Sequence, residues 1–173
     1  MKFFEDLETR REIARCNAFP VRFDGFLDTR ELELSDGLLE LVCVGVAHAD
    51  ILKGYSPSYY FDIRAHGIAV GQISLRVGYS RSLFYAGQIG YTVIAQYRGR
   101  GYAGRACRLM VPLMRAHAME KVLITNNPDN TASRRVCEKL GAKLLRVVRI
   151  PVTHELYRAG DRYKNIFEWD IMR

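Results

Sequence analysis

The stretch that decides the fold reads Gln96-Tyr97-Arg98-Gly99-Arg100-Gly101-Tyr102-Ala103. A strand-like run over residues 88–94 leads into it, and a helix-like run over residues 102–118 follows it. Its glycines permit a tight turn and let an anion approach the main chain closely. The N–H groups of a helix's first turn attract negative charge, and Arg98 and Arg100 add donors suited to phosphate oxygens. The pattern therefore predicts a pyrophosphate site at a strand-to-helix junction.

Two other interpretations of this loop are weaker. Residues 99–104 match the Gly-x-Gly-x-x-Gly pattern of dinucleotide-binding folds, but Tyr97 and Arg98 separate the first glycine from the strand. The next strand-like run, residues 121–126, ends in an amide and not in the acid that would hold a ribose. No Lys-Ser or Lys-Thr pair follows the glycines, which excludes a P-loop. A solvated loop that merely begins a helix is the remaining alternative.

A second motif follows the loop at a fixed distance. It includes Asn130-Thr131-Ala132-Ser133 and then Glu138-Lys139-Leu140-Gly141-Ala142. Asn130 suits the N-cap of a helix over residues 131–140, and Gly141 suits its C-terminal stop. Together the two motifs resemble the Arg/Gln-x-x-Gly-x-Gly/Ala and Asn-x-x-Ser…Glu-Lys-Leu-Gly signatures of the GCN5-related N-acetyltransferase (GNAT) family. The resemblance covers residues 59–150 well and is nearest to the branch of ribosomal-protein alanine N-acetyltransferases.

The order of elements agrees with that family's fold. Strands are expected at residues 38–47, 59–64, 69–77, 84–94, 121–126, 144–153 and 163–171, and helices at residues 4–17, 102–118 and 131–140. Antiparallel strands followed by alternating strands and helices indicate an α+β protein. The resemblance implies the GNAT fold, a mixed and mostly antiparallel splayed sheet flanked by helices. We expect residues 1–173 to form a single N-acetyltransferase domain.

The resemblance also implies a cosubstrate, acetyl-CoA, whose pyrophosphate the glycine loop would hold. The implied cofactor-binding residues are Val93, Ile94, Ala95, Arg98, Gly99, Arg100, Gly101, Tyr102, Ala103, Asn126 and Asn130. The pantetheine arm is expected to pair with the open edge of the strand that ends near Val93. A backbone N–H near Val93 would polarise the thioester carbonyl and stabilise the oxyanion.

The catalytic candidates are Ser133, Tyr91 and Cys137. Many relatives carry a tyrosine as general acid four residues after the motif serine, and this chain has Cys137 there. By resemblance to the ribosomal branch, Ser133 is the better proton donor, whereas Cys137 is commonly a small core residue. Tyr91 would lie near the acetyl group or be a core aromatic. For the base, Glu138 and a water relayed by Tyr91 or by backbone carbonyls remain open.

The resemblance therefore predicts an acetyl-CoA-dependent N-acetyltransferase that passes the acetyl group directly to a primary amine of a small molecule or of a protein N-terminus. The missing tyrosine keeps one alternative, a non-catalytic acyl-CoA-binding or basic nucleic-acid-binding module with the same fold. The sequence contains no clear nucleic-acid-binding motif. It leaves open the acceptor amine, the size of the acyl group and whether the chain forms a homodimer.

Composition limits the class of protein. The net charge of +7 arises partly from arginines in and after the glycine loop, which a phosphate-bearing cofactor would attract. A second basic set is expected to be a solvated face: Arg134, Arg135, Lys139, Lys143, Arg146 and Arg149. The four cysteines form no paired motif and the four histidines are scattered, so we expect free thiols and no metal site. Without an apolar signal segment or membrane-spanning run, a cytoplasmic location away from membranes is expected.

Overall fold

A computed structural model describes residues 5–173 of the chain. These residues form two compact units. Unit 1 comprises residues 5–19, 79–87 and 121–173, and unit 2 comprises residues 20–78 and 88–120. Each unit is therefore assembled from segments that are not contiguous in the sequence. The expectation of a single domain over residues 1–173 stays a prediction.

The secondary structure contains six helices and seven strands within the described residues. The helices are α1 (Leu7–Asn17), α2 (Arg81–Ala86), α3 (Tyr102–Leu109), α4 (Val111–Ala116), α5 (Thr131–Leu140) and α6 (Glu155–Arg158). The strands are β1 (Leu39–Ala47), β2 (Ser58–Ala65), β3 (Ile68–Arg76), β4 (Ile89–Val93), β5 (Lys121–Asn126), β6 (Lys143–Arg149) and β7 (Tyr163–Asp170). Short 3₁₀ turns cover Thr29–Glu31 and Ala95–Tyr97.

Unit 2 contains an antiparallel sheet in the order β1-β2-β3-β4. Alternate residues of its central strands are buried, as the two-residue period of a strand with one covered face requires. Tyr59 of β2 pairs with Leu75 of β3, and Phe61 pairs with Ile73, so buried side chains stand side by side across the ladder. Helix α3 contacts β1 and β4. The sheet and this helix together fix the position of the glycine loop.

Unit 1 contains a second antiparallel sheet in the order β5-β7-β6. Its core cluster joins helix, strand and loop residues: Ile13, Cys16, Phe84, Tyr85, Leu123, Val148, Ile150 and Ile166. Helix α5 contacts β5 and β7, and only four residues, 127–130, separate it from the end of β5. The short connection means that the end of β5 directly controls where α5 starts.

The structure confirms most of the predicted elements and contradicts two of them. The predicted ranges of β5 and α5 agree with the structure to the residue. The single strand expected over residues 84–94 is wrong, since residues 81–86 form α2 and only Ile89–Val93 is a strand. Ser80 caps this helix through a hydrogen bond from the Leu83 N–H, and Gly87 ends it at a φ of 76°.

The helix predicted over residues 102–118 is two helices, α3 and α4, that meet at Met110. Pro112 lies at the start of α4, where it has no N–H to donate and its ring opposes a continuous helix. The predicted helix over residues 4–17 is observed as α1 from Leu7, capped by Asp6, while Phe4 lies outside the described residues.

Residues 5–173 contain neither a membrane-spanning helix nor a metal-binding cluster. No helix there is long and apolar enough to cross a membrane. Among the same residues, no group of His, Cys, Asp and Glu is arranged to hold a metal ion.

A buried hydrogen-bond chain crosses the core of unit 2. The Leu27 N–H donates to the Tyr59 hydroxyl at 2.8 Å, and that hydroxyl lies 2.8 Å from Nε2 of His117. Nδ1 of His117 lies 3.0 Å from the carbonyl oxygen of Arg22, which can only accept. Nδ1 of His117 therefore carries a proton, and in the neutral imidazole the Tyr59 hydroxyl donates to Nε2. Burial lowers the pKa of His117 from its ordinary value.

This arrangement predicts that the protein loses stability in mild acid. The folded pKa of His117 lies below the unfolded value of 6.5, so its full contribution is present above pH 6.5 and is lost as pH falls towards the folded pKa. Denaturant titrations at pH 7.5 and pH 5.5 should give a smaller free energy of unfolding at the lower pH. His117→Gln should reduce that difference, and His48→Gln, at an exposed position, should not. An equal pH dependence in all three proteins would contradict this assignment.

Candidate active site

Strand β4 is an edge strand of the sheet in unit 2. The Ile94 N–H donates to Val70 at 2.9 Å, and Gln88 accepts from the Arg76 N–H at 2.8 Å. Even-numbered residues of β4 therefore direct their backbone groups towards β3, and Val93 directs its own away from β3. The Val93 N–H is thus placed where an extended ligand could pair with it.

Gly71 of β3 allows the end of β4 to come close. A Cβ at this position would lie 2.3 Å from the Thr92 carbonyl oxygen and 3.1 Å from the Val93 Cα. Backbone atoms cannot move aside as a flexible side chain can, so only glycine permits this pairing without a shift of the strand. Gly71 thus helps to set the position of Val93, the predicted oxyanion donor.

The predicted pyrophosphate loop begins where β4 ends. Residues 95–97 form one 3₁₀ turn, after which Nε of Arg98 donates to the Val93 carbonyl oxygen at 3.0 Å. Gly99 and Gly101 both adopt left-handed backbone, with φ of 78° and 76°. Side chains other than glycine rarely adopt this conformation, which explains the Gly-Arg-Gly spacing. The structure brings Val93 and Arg98 into contact.

Helix α3 starts directly after the second of these glycines. Its N-cap, Gly101, provides no side chain, so no side-chain cap bond occupies the N–H groups of the first turn. A Cβ at Gly99 or at Gly101 would meet nothing within 4 Å. The surface outside the turn is therefore open to an incoming anion, and the helix dipole favours its negative charge. Tyr102, by contrast, is buried.

The nearby arginines have different surroundings. Arg100 is exposed and lies over the ring of Tyr97, with Cζ 5.7 Å from its centroid. Arg105 is engaged by Asp36, with an ion pair of 2.8 Å, and so contributes less to an open basic surface. Arg98 and Arg100 remain the predicted phosphate ligands.

The second group of predicted residues lies in unit 1. Asn130 caps α5, because its Oδ1 accepts from the Ser133 N–H at 3.0 Å. Its own N–H donates to the Asn127 carbonyl oxygen at 2.9 Å. The structure thus brings Asn130 and Ser133 together, as the capping pattern predicts. Ser133 is half-buried in the first turn of the helix.

Cys137 is fully buried one turn further along α5. Its sulfur accepts from Nδ2 of Asn126 at 3.7 Å, and Oδ1 of Asn126 accepts from Asn165 at 2.9 Å. Burial raises the pKa of the Cys137 thiol to about 12, which makes it a reluctant proton donor. Asn126 and Cys137, predicted for different roles, are therefore direct partners. Glu138, one of the two base candidates, pairs with Arg134 at 2.9 Å on the exposed face of α5.

Sequence reasoning missed a polar cluster beside these residues. It consists of Asn127, Asp161 and Lys164, which contact one another. Asp161 and Lys164 lie more than thirty positions after Asn127, so no local motif reveals them. The composition of β7 gives no signal either, since the strand also carries Glu168 and Asp170.

A family model connects this geometry to known proteins. The model for the acetyltransferase (GNAT) domain matches residues 29–143, which include β4, the glycine loop and all of α5. The chain belongs to the GNAT acetyltransferase family. The match confirms the resemblance stated from the two sequence motifs, and the antiparallel sheets with flanking helices agree with the predicted α+β class.

Solved structures with the GNAT fold resemble the chain at low sequence identity. RimJ of Mycobacterium smegmatis, in complex with CoA-disulfide, is 22% identical with a TM-score of 0.52, over 65% of this chain and 53% of that one. A GNAT-family acetyltransferase of Bacillus anthracis is 21% identical with a TM-score of 0.52, over 66% of this chain and 67% of that one. Ribosomal-protein-S5-alanine acetyltransferase of Vibrio fischeri is 18% identical with a TM-score of 0.50, over 65% and 61%.

These likenesses establish the fold of the GNAT domain and not its acceptor. The matched region spans about half of the mycobacterial protein and about three fifths of the Vibrio protein. No curated protein is significantly similar to the chain in sequence. The chemistry of this GNAT domain must therefore be argued from its own residues.

The loop geometry predicts that Gly101→Asn weakens CoA binding while the protein still folds. Asparagine tolerates left-handed backbone better than other residues, so the loss of stability should be on the order of 1 kcal/mol. Its side chain would occupy the open space outside the turn, where an anion would approach. Binding can be measured by isothermal titration with CoA.

Gly141→Asn is the matched control for this experiment. Gly141 ends α5 with a φ of 77°, and a Cβ there also meets nothing within 4 Å. The two variants should therefore lose similar stability, and only Gly101→Asn should lose CoA affinity. Equal CoA affinity in both variants would place the phosphate site elsewhere.

Proposed function

We propose that the chain is an N-acetyltransferase that uses acetyl-CoA as cosubstrate and acetylates a primary amine of a small molecule or of a protein N-terminus. The observation that carries the proposal is the uncapped first turn of α3, which follows two left-handed glycines with open space outside them. This is a site for a phosphate-bearing ligand in a chain of the GNAT family. We further propose that residues 1–173 act as one catalytic domain.

The chemistry requires stabilisation of an oxyanion and two proton transfers. The acceptor's nitrogen lone pair attacks the thioester carbon as the C=O electrons move to oxygen, the nitrogen gives up a proton to a base, and collapse of the intermediate breaks the C–S bond. Glu138 and a water relayed by Tyr91 or by backbone carbonyls remain the candidate bases.

The Val93 N–H, which points to the open edge of β4, is the proposed donor to the oxyanion. The backbone of Val93, Ile94 and Ala95 is the proposed partner of the pantetheine arm. The Ile94 N–H is bonded to Val70, and the carbonyl oxygens of Val93 and Ile94 already accept from Arg98 and Tyr97, so the Val93 N–H would be the main partner of the arm.

The departing thiolate must gain a proton as the C–S bond breaks. Ser133 is the proposed donor, and its backbone N–H is fixed by Asn130. The Cys137 thiol is fully buried and its sulfur accepts from Asn126, so it is the less accessible candidate. Tyr91 is proposed to line the site near the acetyl group, because it lies two residues before Val93 on β4.

The alternative of a nucleic-acid-binding module is less well supported. Two members of the second basic set have acidic partners in unit 1. Arg134 pairs with Glu138, and Arg146 pairs with Glu8 at 2.7 Å. A basic surface that is partly neutralised in this way binds phosphate backbones weakly.

Release of free thiol from acetyl-CoA tests the proposal directly. The purified protein is mixed with acetyl-CoA and a panel containing small primary amines and short peptides with a free N-terminus, and the new thiol is titrated. We expect thiol release that depends on both substrates, and thermal stabilisation by CoA but little by NAD. Binding of CoA without release for any amine would support the non-catalytic module. Stabilisation by NAD and not by CoA would contradict the proposal itself.

The proton donor is tested by two substitutions on α5. Ser133→Ala should lower kcat and leave CoA affinity nearly intact, because the contact matters mainly in the transition state. Cys137→Ala should reduce stability by about 1 to 2 kcal/mol through the lost packing and leave kcat close to that of the parent. A stable Cys137→Ala protein with low kcat, beside a fully active Ser133→Ala protein, would make the thiol the acid. If both retain full kcat, solvent protonates the thiolate.

A further inference from the structure

Three side chains in unit 1 form a closed hydrogen-bonded ring. Nδ2 of Asn127 donates to Oδ1 of Asp161 at 2.9 Å, and its Oδ1 accepts from Nζ of Lys164 at 2.6 Å. Nζ of Lys164 also lies 2.8 Å from Oδ2 of Asp161. Both ends of the Asn127 amide are thereby used, each by a charged partner. We call these three residues the Asn127 ring.

The ring is well shielded from solvent. The side chain of Lys164 is 11% exposed and that of Asp161 is 23% exposed. Partial burial opposes ionisation of Asp161, but hydrogen bonds from Lys164 and Asn127 outweigh it and lower the pKa of its carboxyl. The ion pair is therefore intact at neutral pH. Interactions of this kind are stronger and more directional than those of exposed pairs.

The ring fixes the side chain of Asn127, the first residue of the turn at residues 127–130 that leads into α5. The Asn127 carbonyl oxygen accepts from the Asn130 N–H at 2.9 Å. The Asn130 side chain then accepts from the Ser133 N–H at 3.0 Å. An unbroken series of hydrogen bonds thus runs from Lys164 and Asp161, through Asn127 and Asn130, to the first turn of α5.

A parallel pair of contacts holds the same helix one turn later. Asn126 and Asn165 are partners in the ladder between β5 and β7, and their side chains bond to each other and onward to Cys137. Successive side chains of a strand point to opposite faces, so residues 126 and 165 serve one face and residues 127 and 164 serve the other. Side-chain hydrogen bonds therefore hold the end of β5 on both of its faces, just before the turn begins.

We infer that Lys164 and Asp161 are positioning residues for acetyl transfer, acting through Asn127 to hold Asn130 and Ser133 in place. This inference rests on the proposed function. Neither residue is assigned contact with substrate. Their role is to restrict the turn at residues 127–130, because small displacements of reacting groups lower rates steeply.

Asp161 adds a second connection to this turn. It lies in the segment between β6 and β7, three residues after α6 ends, and its N–H donates to Leu156 at 3.0 Å. The ring therefore joins this segment to the turn at residues 127–130. Movement of one would be transmitted to the other through the Asn127 amide.

The chain offers a matched pair of lysines for a test. Lys164→Met removes the ammonium group that bonds to Asn127 and Asp161, and it replaces lysine with an unbranched side chain of similar length. Lys121→Met is the control, because Lys121 also pairs with a carboxylate in unit 1, Glu168 at 3.3 Å, and lies at the opposite end of the ladder between β5 and β7. Both changes delete one lysine from the same pair of strands.

The first readout is steady-state kinetics of the full chain. Lys164→Met should lower kcat by about tenfold or more, with KM for acetyl-CoA changed much less, whereas Lys121→Met should stay within about twofold of the parent in kcat. Asn127→Ala should lower kcat similarly. The double variant Lys164→Met/Asn127→Ala should be no worse than the poorer single variant, because both act through one series of contacts. Additive losses, or equal losses in the two lysine variants, would overturn the inference.

The second readout does not depend on activity. Amide hydrogen exchange of the substrate-free protein should show faster exchange at Asn130 and Ser133 in Lys164→Met than in Lys121→Met. If the parent transfers acetyl to no amine, the proposed function fails, yet this comparison still decides whether the ring orders the turn. Unchanged exchange in Lys164→Met would overturn the inference. Faster exchange with full kcat would show that the ordered turn does not serve the reaction, and would overturn it as well.

Discussion

Left-handed backbone at Gly99 and Gly101 is the constraint on which the proposed site depends. It turns the chain sharply after β4 so that α3 begins with no side chain over its first N–H groups. Any residue with a Cβ would have to adopt an unfavourable φ there and would occupy the space in front of the helix. Both the left-handed backbone and the access of an anion to α3 therefore require glycine at these positions.

The local parts of the fold could be predicted because their signals lie within a few residues of each other. The range of α5 follows from the cap at Asn130 and the stop at Gly141, and both have the expected geometry. The two elements that differ from the prediction also have local causes. Ser80 and Gly87 delimit α2 as a cap and a stop do, and Pro112 separates α3 from α4. In each case the run of apolar residues predicts a longer element than the capping, glycine and proline residues allow.

Contacts between distant residues could not be predicted from one sequence. The pairing of β5 with β7 brings Asn126 beside Asn165 and Asn127 near Lys164, and only the register of that ladder determines these neighbours. The same holds for Tyr59 and His117, whose buried side chains are joined by a hydrogen bond although they lie 58 positions apart in the sequence. Their residue types are common, and spacing along the chain carries no information about such partners. For the loop residues, resemblance gave roles, whereas the structure gave the surroundings from which those roles can be tested.

The bond from Arg98 to the Val93 carbonyl has a consequence for solubility. An open strand edge suited to an extended ligand is equally suited to a strand from another molecule, and such edges promote aggregation. Strand β4 has only five residues, and a charged side chain covers the last carbonyl on its open side. A short edge with a guanidinium at its end resists sheet extension, because an incoming strand would have to displace that contact and tolerate the adjacent charge. Arg98, which is proposed to attract phosphate, would thus also keep β4 from pairing with a strand of another molecule.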